Sequence, residues 1–336
     1  MSKIPGLDRR QFLGTFTATV AVAVSGALPR YANAAGPTRK LAGVFPIGFT
    51  PIIGNDQVDY EGLASQIRFC RKGGVHGFAW PQLASGWSTL SEAERLQGGE
   101  AICDAAKGGS TAIIIGVQSR TADIKESARY AMQAEKLGAD GLICIPPPGM
   151  TAPAELLDYY SKVAALSSLP FMAQAVGDFS VDLLVQMYEK IPNFRYVKDE
   201  SGEPLDRVTE IGQRTNGKLK SFSGRGVSTM ITEMERGFAG HCPYVSIADV
   251  YSSAYDSFHA GDKAKAFATF GKILAANSLI PQNDVNVLIA RGVLKPGTST
   301  RQAPPVPGAP PPKRVRVTVE EARRVLDTYL KGDLRA

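Results

Sequence analysis

Phe194-Arg195-Tyr196-Val197-Lys198-Asp199-Glu200-Ser201-Gly202 is the stretch on which the reading of this 336-residue chain turns. Phe194, Tyr196 and Val197 are aromatic or β-branched, and Pro192-Asn193 and Glu200-Ser201-Gly202 bound them. Five or six residues therefore predict a short strand. The strand runs out into a lysine. At the carboxyl end of a buried strand a lysine either snorkels to water or loses its charge, because desolvation disfavours the ammonium. A neutral amine in a cleft attacks carbonyl carbon, which is how Schiff-base chemistry starts. The bland alternative is a surface lysine paired with Asp199 or Glu200.

Outward from this strand the same unit recurs in both directions. Apolar runs at 42–47, 77–80, 112–117, 141–145, 170–173, 194–198, 220–223 and 238–245 alternate with amphipathic segments. Those segments lie at 60–72, 91–107, 121–137, 153–166, 180–190, 204–214 and 227–236. Ser91 with Glu94 reads as a capping box and Thr121 as a further N-cap. Eight strands alternating with helices predict a parallel β/α sheet, and eight is the number that closes a TIM (β/α)8 barrel, here over 41–247. A doubly wound open sheet is the alternative, but no GxGxxG follows the first strand. Helical patterns at 249–259, 263–279, about 284–291 and 319–330, with a Pro-rich connection at 303–313, predict a C-terminal helical extension over 248–336.

The N-terminus reads as a targeting segment. Asp8-Arg9-Arg10-Gln11-Phe12-Leu13-Gly14 precedes an uncharged run from Thr15 to Leu28, and Ala32-Asn33-Ala34 offers a cleavage site. Residues 1–34 thus resemble a twin-arginine signal, which implies export to the periplasm of a chain already folded. The alternative is a membrane anchor, if the segment is not cleaved. Half of the formal net charge of +6 comes from Lys3, Arg9, Arg10 and Arg30 against Asp8 in this segment. The remainder is too balanced to argue for nucleic acid. Cys70, Cys103, Cys144 and Cys242 form no CxxC and read as small core residues rather than zinc ligands or a disulfide framework. His76, His241 and His259 are scattered without metal-ligand spacing, so no metal site is expected from them. His241 is a candidate acid–base group only if it reaches the barrel mouth.

Barrel active sites sit at the carboxyl ends of the strands. Those ends supply Thr50, the loop Gln82–Ser88, Gln118-Ser119-Arg120, Pro146-Pro147-Pro148, Gln174, Lys198, Ser223-Gly224-Arg225 and Tyr244-Val245-Ser246. Lys198 is the one lysine among them, which favours the imine reading over the bland one.

Here the chain resembles the dihydrodipicolinate synthase and N-acetylneuraminate lyase family. Over about 41–295 the resemblance rests on Thr50-Pro51, Val58-Asp59-Tyr60-Glu61-Gly62-Leu63, Gly73-Gly74-Val75-His76-Gly77 and Leu90-Ser91-Glu92-Ala93-Glu94-Arg95. It continues through Leu137-Gly138-Ala139-Asp140-Gly141, Asn193 and Val197-Lys198-Asp199-Glu200-Ser201-Gly202. It implies a barrel, a lysine imine with a 2-oxo acid at Lys198, no metal or dissociable cofactor, and a homotetramer. The chain departs from the pattern at three places. Gln82-Leu83-Ala84-Ser85-Gly86 stands where the family has Gly-Thr-Thr-Gly-Glu. Pro146-Pro147-Pro148-Gly149-Met150 stands where a proton-relaying tyrosine is normal. The fifth strand ends Gln174-Ala175 instead of Tyr-Asn. Tyr159 and Tyr160, a helix away, read as packing residues. Arg225 and Arg120 are candidate carboxylate clamps, with solvated loop arginines the alternative. Trp80 and Trp87 flank the altered loop, as a wall or as core.

The expected function is a lyase cleaving or dehydrating a 2-oxo-3-deoxy acid through an imine on Lys198. Ser85, Gly86, Thr50, Gln174 and Arg225 are the expected substrate-binding residues. The alternative is an exported, weakly catalytic or non-catalytic 2-oxo-acid-binding protein on the same barrel.

Overall fold

The computed structural model describes residues 39–224, 227–301 and 316–336. The expected signal at 1–34, Arg225 and the Pro-rich connection at 303–313 lie outside the described residues. Ten strands are present among the described residues: β1 (Gly43–Val44), β2 (Ile52–Ile53), β3 (Gln57–Val58), β4 (Gly77–Trp80), β5 (Ala112–Gly116), β6 (Gly141–Cys144), β7 (Phe171–Ala175), β8 (Phe194–Asp199), β9 (Lys220–Ser223) and β10 (Gly240–His241). All but β2 and β3 form one parallel sheet in which neighbours in sequence are neighbours in space. Ile47 bridges to both Ala79 and Tyr244, joining the first strand to β4 on one side and to the β10 segment on the other. That closes the barrel.

The sequence predicts six residues in the first strand and eight in the last, and regular pairing is shorter in both. Pro46 and Pro243 are the reason, since neither has an N–H to give the ladder. Their carbonyls still take part, Pro46 from Ala79 N at 3.0 Å and Pro243 from Ile47 N at 2.8 Å. The short antiparallel hairpin β2–β3 has no counterpart in the sequence reading.

The helices are α1 (Tyr60–Lys72), α2 (Glu92–Ala106), α3 (Ile124–Leu137), α4 (Pro153–Ala164), α5 (Val181–Lys190), α6 (Pro204–Arg214) and α7 (Met230–Glu235). The extension adds α8 (Ala248–His259), α9 (Lys263–Leu279), α10 (Val285–Ala290) and α11 (Val319–Val325). The Ser91–Glu94 capping box forms as predicted. Thr121 does not cap α3. Asp123 does, accepting from Lys125 N at 2.8 Å, while Ser119 Oγ collects the amides of Thr121 and Asp123.

Registered residues of a parallel sheet share a face, so two cores can be told apart. Phe45, Ile47, Ala79, Ile114, Ile143, Met172, Phe222 and Cys242 pack together inside the barrel. The opposite faces, including Val44, Phe78, Ile113, Leu142, Phe171 and Val197, pack against the helices. All four cysteines are buried thiols. The extension is sewn to the barrel by Ile52 and Ser299, which exchange backbone hydrogen bonds of 2.8 and 2.9 Å. Among the described residues no helix is long and apolar enough to cross a membrane.

Candidate active site

Alternation along β8 decides what reaches the barrel mouth. Tyr196 packs with the barrel interior, and Lys198, two residues on, takes the same face in register with Gln174 and Phe222. Asp199 points the other way, into the helix layer, where Arg207 Nε holds it at 2.8 Å. Burial raises the Asp199 carboxyl even so, against the pull of Arg207. Lys198 is 4% exposed. Its Nζ lies 3.3 Å from Glu200 Oε1. Glu200 Oε2 in turn accepts from Gln174 Nε2. Gln174 Oε1 is buried and has no partner among the described residues.

The pair of sequence neighbours named as a surface alternative is therefore half right. Glu200 is the partner, but the contact is buried at the mouth. Sequence reasoning missed Glu200 as a site residue, although the period of two that brings Lys198 inward also carries it inward.

Gly224, at the end of β9, makes room for this arrangement. A Cβ there would stand 2.5 Å from Glu200 Oε1 and closer still to Lys198 Cε. Beside it a cavity of about 290 Å³ opens between the barrel and the extension, lined by Gly224, Cys242, Tyr244, Asn277, Gln282 and Asn283. Asn277 Nδ2 and Gln282 Nε2 both donate to Tyr251 Oη at 2.9 Å, so their orientation is fixed. Asn277 Oδ1 has no partner among the described residues. The helical extension thus contributes a carboxamide wall to the mouth, which the sequence did not reveal. Burial pushes the Cys242 thiol up to about 12; nearby Lys198 pulls it down and Glu200 pushes it up.

Across the mouth the loop after β4 is closed on itself. Trp80 Nε1 donates to Thr50 Oγ1 at 2.9 Å, and Thr50 Oγ1 donates to Ser85 O at 2.7 Å. Ser85 Oγ donates to Gly48 O at 2.6 Å and accepts from Gln82 N at 3.0 Å. Gly86 takes φ 67°, the left-handed turn between two single 3-10 turns. Arg120 braces the loop from one side, donating to Ser88 O and Leu90 O at 2.9 and 3.0 Å. Arg301 braces it from the extension, through Thr89 O at 3.2 Å and Glu94 Oε1 at 2.7 Å. Trp80 is fully buried, and Trp87 nearly so.

The remaining candidates lie elsewhere. Tyr159 and Tyr160 are buried, and burial raises both phenols. Tyr160 Oη donates to Cys144 O at 3.3 Å and Gln174 O at 3.5 Å, tying β6 to β7. His241 shares the outer face of β10 with Val44 and Ser223, away from the mouth. Its Nδ1 lies 3.1 Å from Glu233 Oε2 in the helix layer. Burial works to raise the Glu233 carboxyl, but His241, Thr229 and Ser223 outweigh it and hold it below its ordinary range. Among the described residues no group of histidine, cysteine or carboxylate side chains is placed to hold a metal ion.

Comparison with known proteins agrees with this architecture. A 4-hydroxy-tetrahydrodipicolinate synthase from Methanosarcina mazei is 30% identical over 179 residues, covering 52% of this chain and 59% of the relative. The chain thus matches only about three fifths of that relative's length. The solved 4-hydroxy-tetrahydrodipicolinate synthase of Methylacidiphilum fumariolicum SolV superposes with a TM-score of 0.71 at 20% identity, over 87% of this chain and 97% of that one. The Ruminococcus gnavus sialic acid aldolase gives 0.72 at 19%, over 87% and 99%. At such identities the structural likeness speaks for the fold alone. The model of the Dihydrodipicolinate synthetase family matches residues 40–321, nearly all of the described chain, and the protein belongs to that family.

Proposed function

We propose that this protein is a lyase acting on a 2-oxo-3-deoxy acid through an imine on Lys198, by retro-aldol cleavage or dehydration. The observation that carries the reading is Lys198 itself, a buried amine at the carboxyl end of β8 beside an open cavity. Attack of the neutral amine on the substrate's C2 carbonyl forms a carbinolamine, and loss of water gives the imine. The imine then takes up the electron pair released when a C–C or C–O bond breaks beta to it. Fixed carboxamides on Asn277 and Gln282 suit a hydroxyl-bearing tail, which supports a sugar-acid-like substrate over bare pyruvate.

Thr50, Ser85 and Gly86 enter this proposal as one wall of the mouth and Gln174 as the facing polar group. The Thr50 and Ser85 hydroxyls already donate within the protein. A carboxylate therefore needs another donor, and Arg225, next to Gly224 in the chain, is the proposed one. Export by the twin-arginine route and assembly into a homo-oligomer belong to the same reading.

The test is borohydride reduction in the presence of pyruvate, followed by peptide mass mapping. One adduct is expected, on Lys198, and Lys198→Ala should abolish it. Equal labelling of the Ala variant would show that the imine forms elsewhere. Reading out cytoplasmic precursor in an Arg9→Lys, Arg10→Lys double variant tests export; unchanged processing would exclude the twin-arginine route.

A further inference from the structure

The imine reading needs a proton carrier at Nζ, and the family's tyrosine position is occupied by Pro146-Pro147-Pro148. Forming the carbinolamine takes one proton off the nitrogen, and expelling water puts one onto the departing oxygen. At the mouth, Asp199 faces the helices on Arg207. His241 faces outward to Glu233. Tyr160 is bonded to strand carbonyls, and the Cys242 thiol is held protonated by burial. Tyr244 lines the cavity with its ring stacked on Phe49, whereas Glu200, one residue past β8, stands beside the amine itself with Oε1 3.3 Å from Nζ. Its other oxygen is held by Gln174 Nε2, so the carboxylate cannot swing away freely. It keeps partial access to the mouth, with 18% of its side chain exposed. Gly224 shapes the space so that amine and carboxylate stay side by side.

We propose that Glu200 is a catalytic residue, the general acid–base that replaces the family tyrosine; this rests on the imine reading above. In the resting pair the proton passes from the Lys198 ammonium to the Glu200 carboxylate, leaving a neutral amine and a carboxylic acid. The amine's lone pair forms the C–N bond to C2 as the carbonyl π pair moves to oxygen. Glu200 donates its proton to that oxygen, giving the carbinolamine hydroxyl, and takes one from the now positive nitrogen. Returning that proton to the hydroxyl expels water as the nitrogen lone pair closes the C=N bond. The outcome is one protonated imine, one water and one Glu200 carboxylate, with the positive charge of the ammonium now on the iminium nitrogen. A carboxylate so placed is also within reach to remove a proton from a substrate hydroxyl in the cleavage step.

The experiment measures the rate of borohydride trapping of pyruvate on Lys198 as a function of pH, in wild type, Glu200→Gln, Glu200→Asp and Glu200→Ala. Loss of a positioned acid–base group typically costs about 10²–10⁴-fold. Glu200→Gln keeps the shape and the contact with Gln174, so the expected result is a fall in rate of at least about 10²-fold with the melting temperature nearly unchanged. Glu200→Asp should be intermediate. Glu200→Ala should recover in proportion to added formate, which a merely structural role would not produce. Glu200→Gln trapping at the wild-type rate and with the wild-type pH profile overturns the proposal. So does a slow Glu200→Ala that formate does not restore. Failure of the wild type to label at Lys198 overturns the imine reading itself, so the two failures are distinguishable.

Discussion

Two edges of one barrel mouth are built on opposite plans. At the β7–β9 edge, polar groups converge on an opening: Glu200 touches both Lys198 and Gln174, and Gln174 Oε1 is left without a partner among the described residues. At the edge after β4, the hydroxyls of Thr50 and Ser85 and the indole of Trp80 satisfy one another and the backbone. Arg120 and Arg301 then fasten the loop from either side. Gln82 Oε1 is also buried without a partner among the described residues, so unpaired atoms do not separate the two edges. What separates them is an amine and a carboxylate in contact at the first, against hydroxyls and guanidiniums spent on backbone carbonyls at the second; we read the first as chemistry and the second as scaffold. The resemblance to the family put expectations on both; the geometry loads them on one.

The contrast predicts that substitutions at the first edge change rate and those at the second change stability. Gly224→Ala should give the largest effect. Its Cβ would intrude on both Lys198 and Glu200, and displacements of about 1 Å at a reacting group can cost about 10²-fold. We expect borohydride trapping on Lys198 to slow by about that factor, with a nearly normal thermal melt; unaltered trapping would show that the pair tolerates rearrangement.

Next comes Trp80→Phe, which removes the donor to Thr50 Oγ1 in a fully buried setting. Thr50 Oγ1 keeps its bond to Ser85 O, but loss of the indole's hydrogen bond and of its buried volume should lower stability by about 1–3 kcal/mol, read as a shift in the urea midpoint. Gly86→Ala should cost somewhat less, about 1–2 kcal/mol, because φ 67° is strained for any residue with a Cβ. If either change left stability intact while abolishing pyruvate trapping, the scaffold reading of this edge would be wrong.

The smallest effect concerns Arg301. Its hydrogen bond holds the Glu94 carboxyl down at about 2, below its ordinary value. A carboxyl lowered in the folded state contributes stability that is present above its unfolded pKa. That contribution is lost as pH falls through the folded value. Arg301→Ala should therefore destabilise at neutral pH by no more than about 1 kcal/mol, given the solvent exposure of the pair. The difference from wild type should shrink between about pH 4.5 and pH 2, as melts across that range would show. A difference that grew in acid would assign Arg301 to another partner.

Much of this molecule was legible in its residues because the signals are local. Apolar runs of strand length, amphipathic segments and the Ser91–Glu94 box depend on neighbours within a few positions, and α1, α6 and α9 begin and end where the pattern put them. The single lysine among the predicted strand ends was equally plain. Other outcomes depended on partners far away in the chain. Pairing of the first and last strands was shortened where Pro46 and Pro243 met their neighbours' ladders. The cap of α3 is a local exception: Asp123 serves in place of Thr121, with Ser119 Oγ holding the amides of both. His241 went to the outer face because β10 is registered with β1 and β9 in that sense. Most of all, Glu200 became the partner of Lys198 only when β7, β8 and β9 lay side by side. The sequence set which face it takes, but Gln174 from one strand and Gly224 from the next fix where its carboxylate stops. Local periodicity can assign a side chain to a face; contact between carboxylate and amine is a distance, and only packing of distant segments sets distances.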